Sequence, residues 1–379
     1  MHGKMPPTER LEATIALRPV DRIVCAPFIN GYAASYAHIS QIQFLNDFDL
    51  GLHCLDRLKA AYPGWDCNRG SYSFLGYGPL LKNRWFQKVV LPGEGGLAED
   101  TQYQILEEEL ATQEELLSIR KKGFTRYMMA VTKRVRPKAG LIHYLLWERR
   151  YRKFFLRERE AARHRGQSQY YGAASGIAFE MFSMTRSLEK FTQDVFRLGE
   201  DLLEILDIVD GTGLQATIDQ CRESGNPRVF VSLTRCGPAF LSPKYFDRFV
   251  WPGLKKMALG LIDAGLTPIF HLDTNWDRVM EKFLELPKGK SIIETDGDTD
   301  LFRAKEILKD HTCLAGDLPA AMLAVGSPSE VETYCRRLID EVGKGGGFIF
   351  STGCMMPINA RHENVKAMFD TLAKFGRYD

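Results

Sequence analysis

No run of about 18 consecutive apolar residues occurs in this 379-residue chain, so no membrane-spanning helix is expected. Charge of one sign is not in excess. The 50 Lys and Arg against 48 Asp and Glu leave +2, too little for the general basic field that draws nucleic acid. No CxxC pair and no dense cysteine framework occurs. The 8 Cys are scattered, as in a protein with reduced thiols, and small buried positions suit Cys25, Cys221, Cys313 and Cys335. The segment Met1-His-Gly-Lys-Met-Pro-Pro-Thr8 lacks an apolar signal stretch, and the expected location is cytoplasmic. No Gly-x-Gly-x-x-Gly follows a candidate strand, which counts against a dinucleotide-binding sheet.

What is present is a chain able to bury a large core, 45% hydrophobic and 26% charged. Its second half has a regular rhythm. Residues 228–233, 267–270, 291–294, 312–315 and 347–351 read as buried strands. Between and after them, 242–264, 276–286, 299–308, 319–325, 328–343 and 360–374 read as helices. Ser242 is placed to cap the first of these, with Pro243 at its first position. Strands alternating with helices imply a parallel sheet. Further strands at Ile23 and Ile177, and a weakly marked one between them, bring the count to about eight. The expected fold is a single α/β domain over 1–379, a (β/α)8 TIM barrel with an N-terminal extension and a long insertion before the third strand. A doubly wound sheet is the runner-up. The segment from about 50 to 165 is an unusual helical and loop elaboration. Within it, 84–91 alternates like an edge strand, and 118–166 is a basic helical stretch that includes Arg120, Lys133, Arg134 and Lys138. That stretch suits a solvent face, or a docking face for an acidic partner protein or an anionic cofactor. Near 192–206 a long amphipathic helix is expected.

In such a barrel, chemistry gathers at the C-terminal ends of strands. The polar residues falling there are Asn30, Glu180, Arg235, Cys236, His271, Asp273, Glu294, Asp296, Asp317 and Cys354. His271 and Asp273 are two residues apart where a strand runs out, so both can point to one side. Cys354 ends another strand, in Phe348-Ile-Phe-Ser-Thr-Gly-Cys354. Imidazole, carboxylate and thiolate together suit zinc better than magnesium, and three protein ligands would leave a catalytic open position. Glu294 and Asp296 can serve as acid or base, join a metal shell, or cap; Asp298 stands directly before the next helix. Arg235 can pair with a substrate carboxylate. Asn30 and Tyr32 follow the first strand, and Phe182 and Trp276 can wall a pocket; turn chemistry and core packing compete for all four.

Several segments resemble the uroporphyrinogen decarboxylase superfamily. They are Met181-Phe-Ser-Met-Thr-Arg186, Leu241-Ser-Pro-Lys-Tyr-Phe-Asp-Arg-Phe-Val-Trp-Pro252, Ala264-Gly-Leu-Thr-Pro-Ile-Phe-His271, Leu314-Ala-Gly-Asp-Leu-Pro319 and Gly346-Gly-Phe-Ile-Phe-Ser-Thr-Gly-Cys354. Arg18-Pro-Val-Asp-Arg22 also looks like the family's opening. Decarboxylases of that superfamily carry an arginine-rich motif after the first strand. Here Ile29-Asn-Gly-Tyr-Ala-Ala34 stands in its place, without arginine. The resemblance therefore points to the other branch, the zinc methyltransferases that exchange methyl groups with a corrinoid protein. Some of these carry His-x-Cys at a mid-barrel strand end and a Cys at the last strand. This chain keeps His271 and Cys354 and has Asp273 for the middle Cys, a harder site that suits an ether oxygen better than a thiol.

The resemblance implies an O-demethylase component moving methyl from a methoxylated, aromatic compound to the cobalt of a corrinoid protein. Its implied metal is zinc at His271, Asp273 and Cys354. In that reading the strand-end carboxylates Glu294 and Asp296 are the candidate catalytic pair, and Asn30, Tyr32, Phe182, Arg235 and Trp276, placed at strand ends or on the pocket wall, are the candidate substrate contacts. Partners would be the corrinoid protein and the small methylated substrate, with neither nucleic acid nor membrane; a homo-oligomer is compatible. Two alternatives remain open: transfer between a methylcorrinoid and tetrahydrofolate, and a non-catalytic corrinoid- or tetrapyrrole-binding protein.

Overall fold

The computed structural model describes residues 5–70, 72–137 and 140–378. Seven strands form one sheet: β1 (Val24–Cys25), β2 (Ala173–Ser175), β3 (Arg228–Leu233), β4 (Thr267–Leu272), β5 (Ile292–Thr295), β6 (Cys313–Leu318) and β7 (Phe348–Thr352). All pairings are parallel, in the order β1-β7-β6-β5-β4-β3-β2. The gap between β1 and β2 is spanned by the short parallel pair Cys67–Asn68 and Ser168–Gln169. Asp66 N–H donates to the Cys25 carbonyl at 2.9 Å, and Tyr170 N–H to the Asn68 carbonyl at 2.7 Å. Cys67–Asn68 is thus the weakly marked second strand, and 168–175 forms a bent third. The architecture is the TIM barrel, with the long insertion between its second and third strands.

Period-two alternation sets the two faces of these strands. Phe230, Ile269, Ile292, Ala315 and Ile349 point inward and form a separate apolar cluster with Cys67 and Tyr170. Their outward neighbours Val231, Phe270, Ile293, Leu314 and Phe350 join the larger core under the helices. One inward step further toward the C-terminal mouth, the pattern turns polar: Arg69, Ser232, His271, Glu294 and Ser351. The site therefore rests on an apolar floor.

Several local expectations change. Ile177 lies outside any strand; β2 ends at Ser175, and the apolar run after it is the buried helix Ala178–Thr185. A short apolar run fits a buried strand and a buried helix equally well. The long helix near 192–206 is two helices, Leu188–Leu198 and Glu200–Asp210, broken at Gly199 with φ 52°. The stretch after Trp276 forms 3-10 turns over Asp277–Glu285. Residues 84–91 divide into the end of helix Gly78–Arg84 and Val89–Val90, which pairs antiparallel with Gln104–Ile105. Ser242 precedes helix Pro243–Phe249 without a side-chain capping bond. Asp300, not Asp298, caps helix Leu301–Leu308, accepting from the N–H groups of Phe302 and Arg303 at 3.0 Å each. The basic stretch contains helices Phe124–Val135 and Leu141–His164, largely exposed on one side; Lys138 lies outside the described residues. Among the described residues no helix is long and apolar enough to cross a membrane.

Candidate metal centre

The centre begins with strand register. β4 extends through His271, so that residue sits within the strand rather than in the loop after it. His271 is directly opposite Glu294 of β5. Partners in register on parallel strands point the same way, and the two side chains meet at 2.6 Å, His271 Nδ1 to Glu294 Oε1. Both are almost wholly buried. Phe230 lies tilted against the imidazole with ring centroids 5.4 Å apart, and Phe28 meets it edge-on at 6.2 Å.

The other ring nitrogen faces Asp273: His271 Nε2 is 3.3 Å from Asp273 Oδ1. Cys354 comes in from the end of β7. The ligand atoms of His271, Asp273 and Cys354 all lie within 4.8 Å of one another, and among the described residues this is the group able to hold a metal ion. Two turns shape it. Trp276 Nε1 donates to the Asp273 carbonyl at 2.8 Å, while Thr274, at φ 67°, donates its N–H to Asp296 Oδ2 at 2.7 Å. Across from them, Gly353 brings Cys354 close; a Cβ there would lie 2.1 Å from the Asp296 carbonyl oxygen. Only a residue without Cβ permits that approach.

Charge is balanced inside the group. Burial pushes the Glu294 carboxyl up, but the Arg69 guanidinium and His271 outweigh it and hold the carboxyl down to about 2. Burial pushes the His271 imidazolium down, but Asp273, Cys354 and Glu294 outweigh that and hold its pKa well above the usual range. The donor set fits zinc. One nitrogen, one oxygen and one sulfur converge, and Glu294 on the Nδ1 side leaves Nε2 to face the ion. Metal would displace the Nε2 proton.

The family model of uroporphyrinogen decarboxylase (URO-D) matches residues 165–375, more than half of the chain. The chain belongs to the uroporphyrinogen decarboxylase family. Among solved structures, a methyltransferase from Methanosarcina mazei is similar in fold, with a TM-score of 0.65 over 98% of this chain and 99% of that one. At 15% identity the likeness is one of fold. No curated protein matches. The URO-D match contains His271, Asp273, Glu294 and Cys354, whereas Phe28, Asn30 and Arg69 precede it.

The remaining residues singled out from sequence go to different places. Asp296 organises the turn, accepting also from Asp298 N–H at 3.0 Å; burial holds its carboxyl above the usual range. Asn30 is buried at the mouth and donates to Met355 Sδ at 3.5 Å, next to Cys354. Tyr32 is turned to the last helix, its hydroxyl 2.9 Å from His362 Nδ1. Phe182 packs edge-on against Tyr127 in the core. Trp276 is also fully buried and reaches the centre only through its bond to the Asp273 backbone. Arg235 holds Glu107 with both terminal nitrogens, at 3.0 and 2.6 Å, in an acidic surface cleft that shares no lining residue with the His271 group. Glu180 accepts the Arg235 N–H at 2.8 Å. Asp317 lies on the helix side of β6, where Tyr334 donates to it at 2.8 Å; burial raises its carboxyl to about 7.

Sequence reasoning missed Arg69, Tyr170 and Phe28. Arg69 contacts Glu294 with both terminal nitrogens, and Tyr170 OH donates to Glu294 Oε2 at 3.3 Å. A signal for Arg69 was present. It stands two residues after the inward Cys67, next to Gly70, just past a two-residue strand too short to show periodicity.

Proposed function

We propose that this protein is a corrinoid-dependent methyltransferase that takes methyl from a methoxylated aromatic compound, with zinc held by His271, Asp273 and Cys354. The observation that carries this reading is the convergence of those donors at the C-terminal mouth of a URO-D barrel. Support comes also from Ile29-Asn-Gly-Tyr-Ala-Ala34, which offers no arginine for porphyrinogen carboxylates. The name of the methanogen neighbour agrees with it. When bound, zinc supplies a Lewis acid that draws charge from the ether oxygen as it leaves.

The chain's own residues supply the rest. Glu294 holds His271 Nδ1–H and so fixes the ring's orientation. Asp296 orders the turn that presents Asp273, through the Thr274 N–H. Phe28 and Phe230 flank the imidazole and keep water from that side, which strengthens the charge interactions at the mouth. The acceptor substrate is the cobalt of a corrinoid on a partner protein. The methyl carbon–oxygen bond breaks with its electron pair on oxygen, and a carbon–cobalt bond forms using the pair on reduced cobalt.

The test is metal content together with methyl transfer from a methoxyarene to free cob(I)alamin. Stoichiometric zinc in the wild type, lost in His271→Ala and Cys354→Ala along with transfer, is the expected result. A metal-free wild type, or full transfer by the zinc-free protein, would overturn the reading.

A further inference from the structure

The short strand at the root of the insertion sends a residue into the centre from outside the URO-D match. Arg69 is buried, with its guanidinium 4.5 Å from the Phe28 ring centroid and 4.6 Å from that of Tyr170. Its Nη1 donates to Glu294 Oε2 at 2.8 Å, and its Nη2 to Oε1. His271 Nδ1 also reaches Oε1, at 2.6 Å, and the Tyr170 hydroxyl also reaches Oε2, at 3.3 Å. Both carboxylate oxygens of Glu294 are therefore engaged on the side of the imidazole away from Asp273 and Cys354. A planar two-point clamp between aromatic faces restricts rotation far more than a point charge does.

Resting on the metal-centre reading above, we propose that Arg69 is a positioning residue that holds Glu294 as the hydrogen-bond partner of His271 and keeps its carboxylate out of the metal's coordination sphere. Two consequences follow. The metal keeps three protein ligands and an open position for a substrate oxygen. The Arg69–Glu294 pair is neutral as a unit, so Asp273 and the Cys354 thiolate alone balance a dication, and the site as a whole carries no excess negative charge to blunt its pull on that oxygen. Without Arg69, the buried Glu294 carboxylate keeps its bonds to His271 and Tyr170 but loses its counter-charge, and the metal ion across the imidazole is the nearest cation left to compensate it.

Cobalt(II), added alone to the metal-free full chain, reports coordination number through its visible absorption. Zinc competition against a chelator reports affinity. The wild type should show the intense band of a four-coordinate site. Arg69→Met should show the weaker band of a higher-coordinate site, with zinc affinity changed by about 10–100-fold, the range typical of outer partners of metal ligands. Arg69→Lys, which keeps the charge without the fork, should fall between them. Arg69→Met/Glu294→Gln removes both charges and the intruding carboxylate, so its band should return to the wild-type form. This double variant also carries the test if the single variant does not fold. A wild-type spectrum and affinity in Arg69→Met, or a double variant without the four-coordinate band, overturns the proposal while leaving the metal centre standing. A wild type that binds neither cobalt nor zinc overturns both.

Discussion

Gly353 shows how far one missing side chain can reach. A Cβ at that position would lie 2.1 Å from the Asp296 carbonyl oxygen and 2.4 Å from its carbonyl carbon, both backbone atoms with little room to move. Gly353→Ala should therefore push the Cys354 turn away from the Asp273 turn. The expected cost is that of overpacking, about 1–3 kcal/mol in urea unfolding, together with loss of bound zinc. Unchanged stability with full zinc content would refute this account of the turn. Arg69 gives a second residue-level expectation. Removing one partner of a buried ion pair leaves a charge without compensation, typically about 3–5 kcal/mol. Arg69→Met should destabilise on that scale and Arg69→Met/Glu294→Gln by clearly less; equal losses measured in denaturant would mean the pair does not act as a pair. His271 and Asp273 were legible at this scale because two-residue spacing fixes a shared side locally. Glu294 as the partner of His271 was not, because cross-strand register depends on both strands.

Elements carry the next layer, and their ends are where side chains act on backbone. Asp300 caps Leu301–Leu308, the helix that follows the Glu294 strand. Asp300→Ala should cost about 1 kcal/mol, read as a lower urea midpoint, whereas Asp298→Ala should cost little. The two helices Ala178–Thr185 and Glu200–Asp210 meet at Asp210, whose Oδ1 accepts the Ala178 N–H at 2.6 Å. Burial raises the Asp210 carboxyl from 3.8 to about 6, against a smaller opposing pull from the Ala178 N–H. The folded protein thus holds this proton more tightly than the unfolded chain. The stability linked to it is fully present below about pH 4 and is lost as pH rises through about 6, at most about 3 kcal/mol. Asp210→Asn keeps an acceptor for Ala178 and should flatten the stability profile across that window. An unchanged slope in urea unfolding at pH 4 and pH 7 would assign the effect elsewhere. The sequence shows the helical stretch near 192–206, but it does not show the helix Ala178–Thr185, whose apolar run reads equally as strand, and the break at Gly199 depends on a positive φ that packing imposes.

For the whole molecule, the metal ligands come from β4, the turn just after it and the turn after β7, far apart in the chain. An ion bound there stabilises the folded state by mass action, about 2.7 kcal/mol at a hundredfold excess over its dissociation constant. Zinc should raise the thermal midpoint and a chelator lower it, with no such difference in His271→Ala; a chelator without effect on zinc-loaded wild type would count against the site. The alternation of strands and helices, the shared side of His271 and Asp273, and the missing arginines after the first strand were all determined by the sequence alone, because each is a local pattern of apolar period, spacing or residue type. Tertiary structure decided the rest. It paired His271 with Glu294 by register, brought Arg69 from the root of the insertion, drew Cys354 to the Asp273 turn through Gly353, and committed Tyr32, Phe182 and Trp276 to packing contacts. Those outcomes depend on contacts between residues up to a few hundred positions apart, which no local periodicity encodes.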